Sequence, residues 1–407
     1  MESSIGALTL GGTQMTHTLF VTITSYFVLI LSLGCTTGTG GKPESDWEVL
    51  DNAKPISCKT WPIKDGFIRI DDMHGAGWNN PGVIVSGPRR NGSPALYFHP
   101  MATGLGASVD KEPVFALDSH SILAKGTLAG EGIYAGTIAT NQESGKSKFV
   151  VQSLPQGKIL LSTDLDVSTP QSAELIPAAP NPGWVVIRSN GIDEIRRIIA
   201  PPGKDTWQLS SVVFKSQQLI AVGQNTSDQP WVLHLKRGEG EAKPTILLTS
   251  LGTEKGQETK VIEFAGPIEA VAAHFEKNAL FLGAITGDTV VGDAKLVLLT
   301  GIIENRTFSM KASATIPLEN AHISQPYWIK TRNQPRLIMP MWLDGESTLG
   351  SIGIEAGNQP KFQYSGIFPE GLAVIDQLPN NPDQPRVIVR SRIDNRWRFS
   401  VCRVDEP

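Results

Sequence analysis

The chain has 407 residues, of which 40% are hydrophobic, and it carries a net charge of −4 with a pI near 6.0. This length accommodates one large all-β domain or two to three average domains. The slightly acidic balance argues against a nucleic-acid partner or a general affinity for acidic polymers. The 40 glycines and 28 prolines are spaced as turns between apolar runs, which is typical of all-β proteins.

The first element along the chain is a mostly apolar run at 19–34, LFVTITSYFVLILSLG, which is followed by Cys35. Its 16 residues are few for a membrane-spanning helix, which needs about 20, but they fit the apolar region of a signal peptide. The residues 31–35, LSLGC, resemble the lipobox of bacterial lipoproteins, in which a small residue precedes a lipidated cysteine. Ser32 stands where that family usually has Leu, and no Lys or Arg occurs before Lys42.

This resemblance implies that residues 1–35 are a signal peptide and that Cys35 becomes a lipid-bearing N-terminus. Residues 36–54 begin with TTGTGG and are predicted to form a flexible tether. Because no Asp follows Cys35, the resemblance further implies an outer-membrane anchor facing the periplasm or the cell surface. An ordinary cleaved secretory signal and an uncleaved membrane anchor are the alternatives.

A short motif, a proline turn that leads into an apolar run, recurs along the rest of the chain. It reads NPGVIV at 80–85 and NPGWVV at 181–186, with looser copies around Pro230, Pro335 and Pro385. Degenerate copies, GEGIY at 130–134 and KNALF at 277–281, fill the larger gaps, so that copies recur about every 50 residues. Asn, Asp and Pro favour turns, and the apolar run predicts a strand that is buried on both faces.

The repeat predicts an all-β fold, a β-propeller over residues 55–407. Seven blades are favoured, with six or eight as alternatives, because Pro230 could enter either the second or the third strand of its blade. No stretch has the sustained apolar spacing of a helix, and three or four antiparallel strands per repeat fit blades around a channel. An elongated array of β-sandwiches is the other architecture considered.

The two remaining cysteines lie in the first and last strand-like segments of this domain. Cys58 belongs to 56–61 and Cys402 to 397–404. Propellers usually close by completing one blade with strands from both ends of the chain, which leaves no open sheet edge. A Cys58–Cys402 disulfide would lock this closure, and such bonds persist in exported proteins. Two unpaired, buried thiols are the alternative.

Motifs for catalysis or metal binding are weak. Residues 71–74, DDMH, could form an acid–base or metal cluster, but neighbours on a strand point to opposite faces, so a solvated turn is favoured. Asp164 and Asp166 have the spacing of a general acid–base or calcium pair, although an exposed turn is favoured there as well. The histidines are scattered without metal-binding spacing. We therefore assign no catalytic residue, no metal ligand and no cofactor.

Six arginines are concentrated in the last predicted blade, where residues two apart share a strand face. This arginine patch could bind an acidic protein or lipid headgroups through paired hydrogen bonds, and a solvated outer strand is the alternative. Its members are Arg386, Arg390, Arg392, Arg396, Arg398 and Arg403.

Together these features predict a lipid-anchored, non-catalytic β-propeller that acts as a protein-interaction scaffold in the bacterial cell envelope. Its expected partners are envelope proteins that the sequence does not identify, and the membrane through the lipid. The alternative is an exported propeller that binds or hydrolyses glycans. Four tryptophans near turns are candidates for either blade packing or a sugar or peptide platform: Trp78, Trp207, Trp328 and Trp342.

Overall fold

A computed structural model describes six strand segments before residue 121 and most of residues 121–404. Within the latter range the undescribed residues are 155, 168, 225–229, 238–242, 252–257, 288–292, 305–306, 319–320, 324, 344–345, 355–359, 366–374, 378–385 and 394–395. The chain divides into Met1–Glu44 and Ser45–Pro407, and every described residue belongs to the second unit. The predicted signal peptide and lipobox therefore lie outside the described residues.

The described residues form 31 strands and no helix. The first eight are β1 (Glu48–Val49), β2 (Ile56–Thr60), β3 (Asp72–Ala76), β4 (Gly82–Pro88), β5 (Pro94–Pro100), β6 (Phe115–Ala116), β7 (Ser121–Leu123) and β8 (Lys125–Gly126). The next seven are β9 (Ile133–Thr140), β10 (Ser147–Leu154), β11 (Lys158–Leu165), β12 (Pro170–Ala178), β13 (Asn181–Ser189), β14 (Ile192–Ile199) and β15 (Gln208–Ser216).

The second half of the chain continues in the same way. Two groups of four follow, β16 (Gln218–Gln224), β17 (Pro230–Lys236), β18 (Thr245–Ser250), β19 (Glu258–Glu263), β20 (Ile268–Glu276), β21 (Ala279–Thr286), β22 (Lys295–Glu304) and β23 (Thr307–Pro317). The last eight are β24 (Ala321–Ile323), β25 (Tyr327–Ile329), β26 (Arg336–Leu343), β27 (Glu346–Ile352), β28 (Gln363–Tyr364), β29 (Ile375–Gln377), β30 (Arg386–Ile393) and β31 (Arg396–Val404).

These strands form seven sheets, which we number along the chain. Sheet 1 has the order β3-β4-β5-β6, sheet 2 β7-β9-β10-β11, sheet 3 β8-β12-β13-β14-β15, sheet 4 β16-β17-β18-β19 and sheet 5 β20-β21-β22-β23. In sheet 6, β24 and β25 both pair with β26, which is followed by β27 and β28. Sheet 7 has the order β29-β30-β31-β2-β1. All pairings are antiparallel except that of β8 with β12. Strand β1, which lies at the edge of sheet 7 opposite β29, falls within the segment 36–54 that was predicted as a tether.

Each sheet contacts the next one along the chain, and the series of contacts returns to its start. The contacts join β3 to β9, β7 to β12, β14 to β16, β16 to β20, β20 to β25, β25 to β29 and β29 to β3. Four-stranded antiparallel sheets in such a closed series form a β-propeller, so the predicted fold class is confirmed. The blade number of seven stays a prediction.

The hydrophobic core is divided into clusters that lie between neighbouring sheets. On β13, Val185 and Ile187 pack with Phe149 of sheet 2, whereas the alternate residues Trp184 and Val186 pack towards sheet 4. A strand of this kind buries both faces, which accounts for its continuous apolar run. Burial of each such side chain contributes roughly 1.5–3 kcal/mol to the free energy of folding.

The repeated proline turn marks the same place in each sheet that carries it. Pro230 is the first residue of β17, the second strand of sheet 4. Pro182 is the second residue of β13, which directly follows β12 in sheet 3. Pro81, Pro335 and Pro385 directly precede β4, β26 and β30, which also follow the first strands of their sheets. A strand start tolerates proline because no ladder donor is lost there. Pro230 therefore enters a second strand.

Candidate functional site

The closure of the ring is built from both ends of the described chain. Strands β2 and β31 pair so that Cys58 and Cys402 are direct register partners, and the two cysteines form a disulfide. Both are buried among Ile56, Val387 and Val404. The predicted disulfide and the predicted closure by terminal strands are confirmed, and two unpaired thiols are excluded.

The arginine patch lies on the neighbouring strands β30 and β31 of the same sheet. Arg386 is the register partner of Arg403, and Arg392 pairs with Trp397. Arg403 is exposed, whereas Arg386 and Arg390 are half-buried. The backbone thus brings the six arginines onto two adjacent strands, and their role in binding stays a prediction.

The predicted turn at residues 71–74 is wrong for the part that the structure describes. Asp72–Ala76 form β3, in which His74 is the register partner of Ile84 on β4. Pairing with the apolar strand β4 outweighs the local turn tendency of Gly75, because the ladder supplies hydrogen bonds along the whole segment. No group of three His, Cys, Asp or Glu residues within the described part of the chain could hold a metal ion.

The predicted exposed turn at Asp164 and Asp166 coincides with the end of β11. Asp164 and Asp166 are exposed, while Leu165 between them is buried. The Asp166 carboxylate accepts a hydrogen bond from Arg196 Nη2, and this bond holds the pKa of Asp166 below its usual value. Asp166 therefore links sheet 2 to sheet 3 instead of serving as a free acid–base group.

Sheet 3 carries two ionic clusters around buried carboxylates that the sequence did not reveal. Arg196 Nη2 also donates to Glu194 Oε2 at 3.0 Å, and Glu194 lies 2.5 Å from Lys215 Nζ. The second cluster joins Arg188 to Asp193, with Nε to Oδ1 at 2.8 Å and Nη2 to Oδ2 at 3.3 Å. Such buried carboxylates are paired because an unpaired charge would be costly away from water.

The Asp193 carboxylate also connects neighbouring sheets. Its Oδ2 accepts a hydrogen bond from the backbone N–H of Leu219 on β16 at 2.6 Å. Asp193 is buried, so this bond ties sheet 3 to the first strand of sheet 4. We interpret both clusters as structural links between blades.

Glu174 on the first long strand of sheet 3, β12, is the register partner of Lys125 on β8. Its side chain reaches solvent, yet surrounding protein raises the pKa of its carboxyl by desolvation, while the charge of Lys125 lowers it. This pair lies where the parallel strand β8 joins sheet 3. Glu174 therefore belongs to the junction between β8 and β12, and we do not assign it a catalytic role.

Burial lowers the pKa of two histidines inside the fold. His234 is buried, and its Nε2 lies 3.0 Å from Thr249 Oγ1, as expected for a hydrogen-bonded core histidine. On β20, burial lowers the pKa of His274 to about 4, with Glu276 opposing the shift and Lys330 adding to it. Neither histidine belongs to a metal group in the described residues.

We expect His274 to make the protein less stable in mild acid. Its pKa is lowered from 6.5 to about 4 by folding, so the unfolded chain binds a proton between these pH values that the folded chain does not. The free energy of unfolding is therefore highest above the unfolded pKa of about 6.5 and falls as the pH drops below it. We expect it to fall by roughly 2 kcal/mol between pH 7.5 and pH 5. Urea unfolding of wild type and of His274→Gln at both pH values measures this difference. Equal pH dependence in the two proteins would contradict it.

A cleft of ≈ 570 Å³ opens between sheets 2 and 3 at the edge where the proline turns of the repeat also lie. Tyr134, near the start of β9, and Trp207, just before β15, line it with ring centroids 5.0 Å apart and planes tilted by 57°. The backbone N–H of Trp207 donates to the carbonyl oxygen of Leu160 at 2.6 Å. Both rings pack on the core between the two sheets, so they form a fixed aromatic corner.

The degenerate copy of the repeat makes room for this corner. In place of the proline turn, sheet 2 has Gly130-Glu131-Gly132 directly before β9. A Cβ atom on Gly132 would lie 2.6 Å from the Tyr134 hydroxyl oxygen, closer than atoms pack. Gly130, at a φ of 134°, has a backbone conformation that suits glycine. The glycines thus allow the Tyr134 ring to lie against the turn.

The rim of the cleft carries charges of both signs. Glu131 and Lys158 come from sheet 2, and Lys204 and Asp205 come from the turn between β14 and β15. Lys158 Nζ lies 3.7 Å from Asp205 Oδ1, and the two side chains are 57% and 92% exposed. An ion pair this exposed contributes little to stability, so its members can exchange partners with a ligand.

Among the tryptophan candidates that the structure describes, only Trp207 lines this cleft. Trp328 is buried, and its indole Nε1 donates to the Ala272 carbonyl oxygen at 3.1 Å, so it serves blade packing. Trp342 packs against the core next to the disulfide, and Trp78 lies outside the described residues. Sequence reasoning named Trp207 as a candidate and included Tyr134 only in a degenerate copy of the repeat, so it missed that the two rings meet.

Comparisons with known proteins show likeness in structure only. No family model matches the sequence, and no curated protein matches it. Hsv2 of Kluyveromyces lactis is similar at 11% identity over 81% of this chain and 96% of that chain, with a TM-score of 0.47. A protein from Lactobacillus plantarum is similar at 12% identity over 79% and 93% of the two chains, with a TM-score of 0.42.

In the described part of the chain, no helix is long and apolar enough to span a membrane.

Proposed function

We propose that this protein is a lipid-anchored, non-catalytic β-propeller that serves as a protein-interaction scaffold in the bacterial cell envelope. The observation that carries the proposal is the Cys58–Cys402 disulfide, because such bonds persist in oxidising compartments outside the cytosol. With these two cysteines paired, Cys35 is the third of the 3 cysteines and stands at the lipobox-like sequence. A disulfide between two of the cysteines, with Cys35 left at the lipobox-like sequence, supports export followed by lipidation.

The arginine patch offers a surface for the partner. It lies in sheet 7, which also contains β1, a strand within the predicted tether segment 36–54. Guanidinium groups recognise carboxylates through two parallel hydrogen bonds, so the patch suits an acidic protein surface. A closed ring of sheets also holds such a surface rigidly, which reduces the entropy lost on binding.

The experiment compares wild type with Cys35→Ala, both tagged and purified after cross-linking in their native membranes. We expect wild type to incorporate radioactive fatty acid, to fractionate with membranes and to retain a stoichiometric envelope protein. Cys35→Ala should lose the label and the membrane association, because the sulfur that carries the lipid is absent. Labelling and membrane fractionation of Cys35→Ala at the wild-type level would contradict the anchor.

A charge reversal tests the binding surface separately. Arg403→Glu should reduce partner recovery, whereas Lys148→Glu, an equal charge change at an exposed position of sheet 2, should leave it unchanged. Failure to recover any envelope protein with wild type would overturn the scaffold. Equal recovery by the two charge variants would overturn the assignment of the patch.

A further inference from the structure

We propose that the cleft between sheets 2 and 3 binds a neutral saccharide of one or two rings. The aromatic corner of Tyr134 and Trp207 provides two fixed ring faces that meet at an angle of 57°. A sugar ring presents a face of C–H groups, and such groups pack favourably on the electron-rich face of an aromatic ring. Fixed rings need no ordering on binding, so little entropy is lost there.

The groups around this corner match the hydroxyl rim of a sugar. Carboxylates of Glu131 and Asp205 accept hydrogen bonds, and the ammonium groups of Lys158 and Lys204 donate them. Gln156 can do both. Sugar hydroxyls both donate and accept, so every one of these side chains has a matching partner on the ligand.

The balance of charge favours a neutral ligand. Two carboxylates and two ammonium groups line the cleft, so neither an acidic nor a basic ligand finds a surplus of opposite charge. A peptide commonly binds by adding a strand to a sheet edge, whereas this cleft is formed by strand ends and turns. Its volume of ≈ 570 Å³ lies in the usual range for small-ligand sites.

This site is separate from the arginine patch and from the lipid. The cleft involves sheets 2 and 3, and the patch involves sheet 7. Its test therefore measures saccharide binding by the purified full-length chain and has a readout independent of envelope partners. Failure of one proposal leaves the other standing.

The experiment titrates the full-length protein with cellobiose, maltose, chitobiose and mannobiose by isothermal calorimetry. The detergent must lack a sugar headgroup, because such a headgroup would compete for the cleft. We expect saturable binding of at least one disaccharide, weakened about 10-fold or more in Trp207→Ala and in Asp205→Asn, through loss of stacking and of a charged hydrogen bond. Asp164→Asn makes the same charge change at an exposed position outside the cleft and should bind as wild type does.

Asp205 is 92% exposed, so Asp205→Asn keeps the test valid even if Trp207→Ala fails to fold. Three results would overturn the proposal. These are the absence of saturable binding to any of the four disaccharides, wild-type affinity in both cleft variants, and binding of acidic saccharides or peptides alone in a parallel titration.

Discussion

Removal of the Cys58–Cys402 disulfide is expected to lower the free energy of unfolding by about 4–5 kcal/mol. The bond joins residues separated by 344 positions, so it restricts almost the whole domain in the unfolded state. Loop-closure entropy for a chain of this length gives about 6 kcal/mol, and removal of native disulfides typically costs about 2–5 kcal/mol. We expect a value near the top of that range because the bond also holds β2 against β31 at the closure of the ring.

Urea unfolding of oxidised wild type, reduced wild type and the double variant Cys58→Ala/Cys402→Ala measures this loss. The reduced protein keeps both sulfur atoms, so its difference from the double variant reports the packing of the buried side chains alone. Reductant should have no effect on the double variant, and Cys35→Ala should unfold as wild type does. A loss below about 1 kcal/mol in the reduced protein would contradict the expectation.

Gly183→Ala is expected to destabilise the protein by roughly 3 kcal/mol. Gly183 follows the proline of the repeated turn and has a φ of 147°, which side chains of L-residues rarely allow. A Cβ atom there would lie 2.1 Å from the carbonyl oxygen of Ile176, which is backbone of the neighbouring strand β12 and cannot move aside. Relief of the clash requires β12 and β13 to separate at the start of a strand that is buried on both faces.

Two other glycines separate the causes of this effect. Gly191 has a φ of 75° but no atom within 4 Å of a built Cβ, so Gly191→Ala should show only the backbone strain of about 1–2 kcal/mol. Gly266 has open space as well, and Gly266→Ala should be close to neutral. Chemical denaturation of the three variants ranks them. If Gly183→Ala lowers the free energy of unfolding no more than Gly191→Ala does, the clash with the Ile176 carbonyl oxygen does not contribute to the effect.

The second strands of the sheets were predictable because their signal is local. Each begins at a turn of Asn, Asp, Pro or Gly and continues with an apolar run, and the apolar ends of the repeat copies at 130–134 and 277–281 open β9 and β21. Both faces of such a strand are buried between sheets, so the apolar run needs no partner to be recognised. The disulfide followed from the same repeat, since closure requires the two ends to meet.

Strands at the inner and outer positions of the sheets were harder to recognise. β12 reads PQSAELIPA, with buried and exposed residues mixed along it, and β15 reads QLSSVVFKS, whose residues are half-buried or exposed. These strands have only part of their surface against a neighbouring sheet, so their sequences lack a continuous apolar run. β3 was mistaken for a turn for a related reason, because its pairing with β4 comes from the fold and not from its own residues.

The candidate site depended on contacts that no local pattern encodes. Tyr134 and Trp207 belong to different sheets, and the position of Trp207 depends on a bond to the Leu160 backbone. The hydrogen bonds from Arg196 to Asp166 and from the Leu219 backbone to Asp193 likewise join residues 30 and 26 positions apart. A single sequence shows each of these residues but not their proximity.

The pairing of β2 with β31 also sets an order of events during biogenesis. Cys58 is translated early, and its partner strand is the last described strand of the chain, so the bond cannot form until synthesis has passed Cys402. A chain that stops short of β31 would keep a reactive thiol and an open sheet edge, both of which promote capture by proteases and aggregation. The bond thus distinguishes molecules that contain β31 from truncated molecules that lack it.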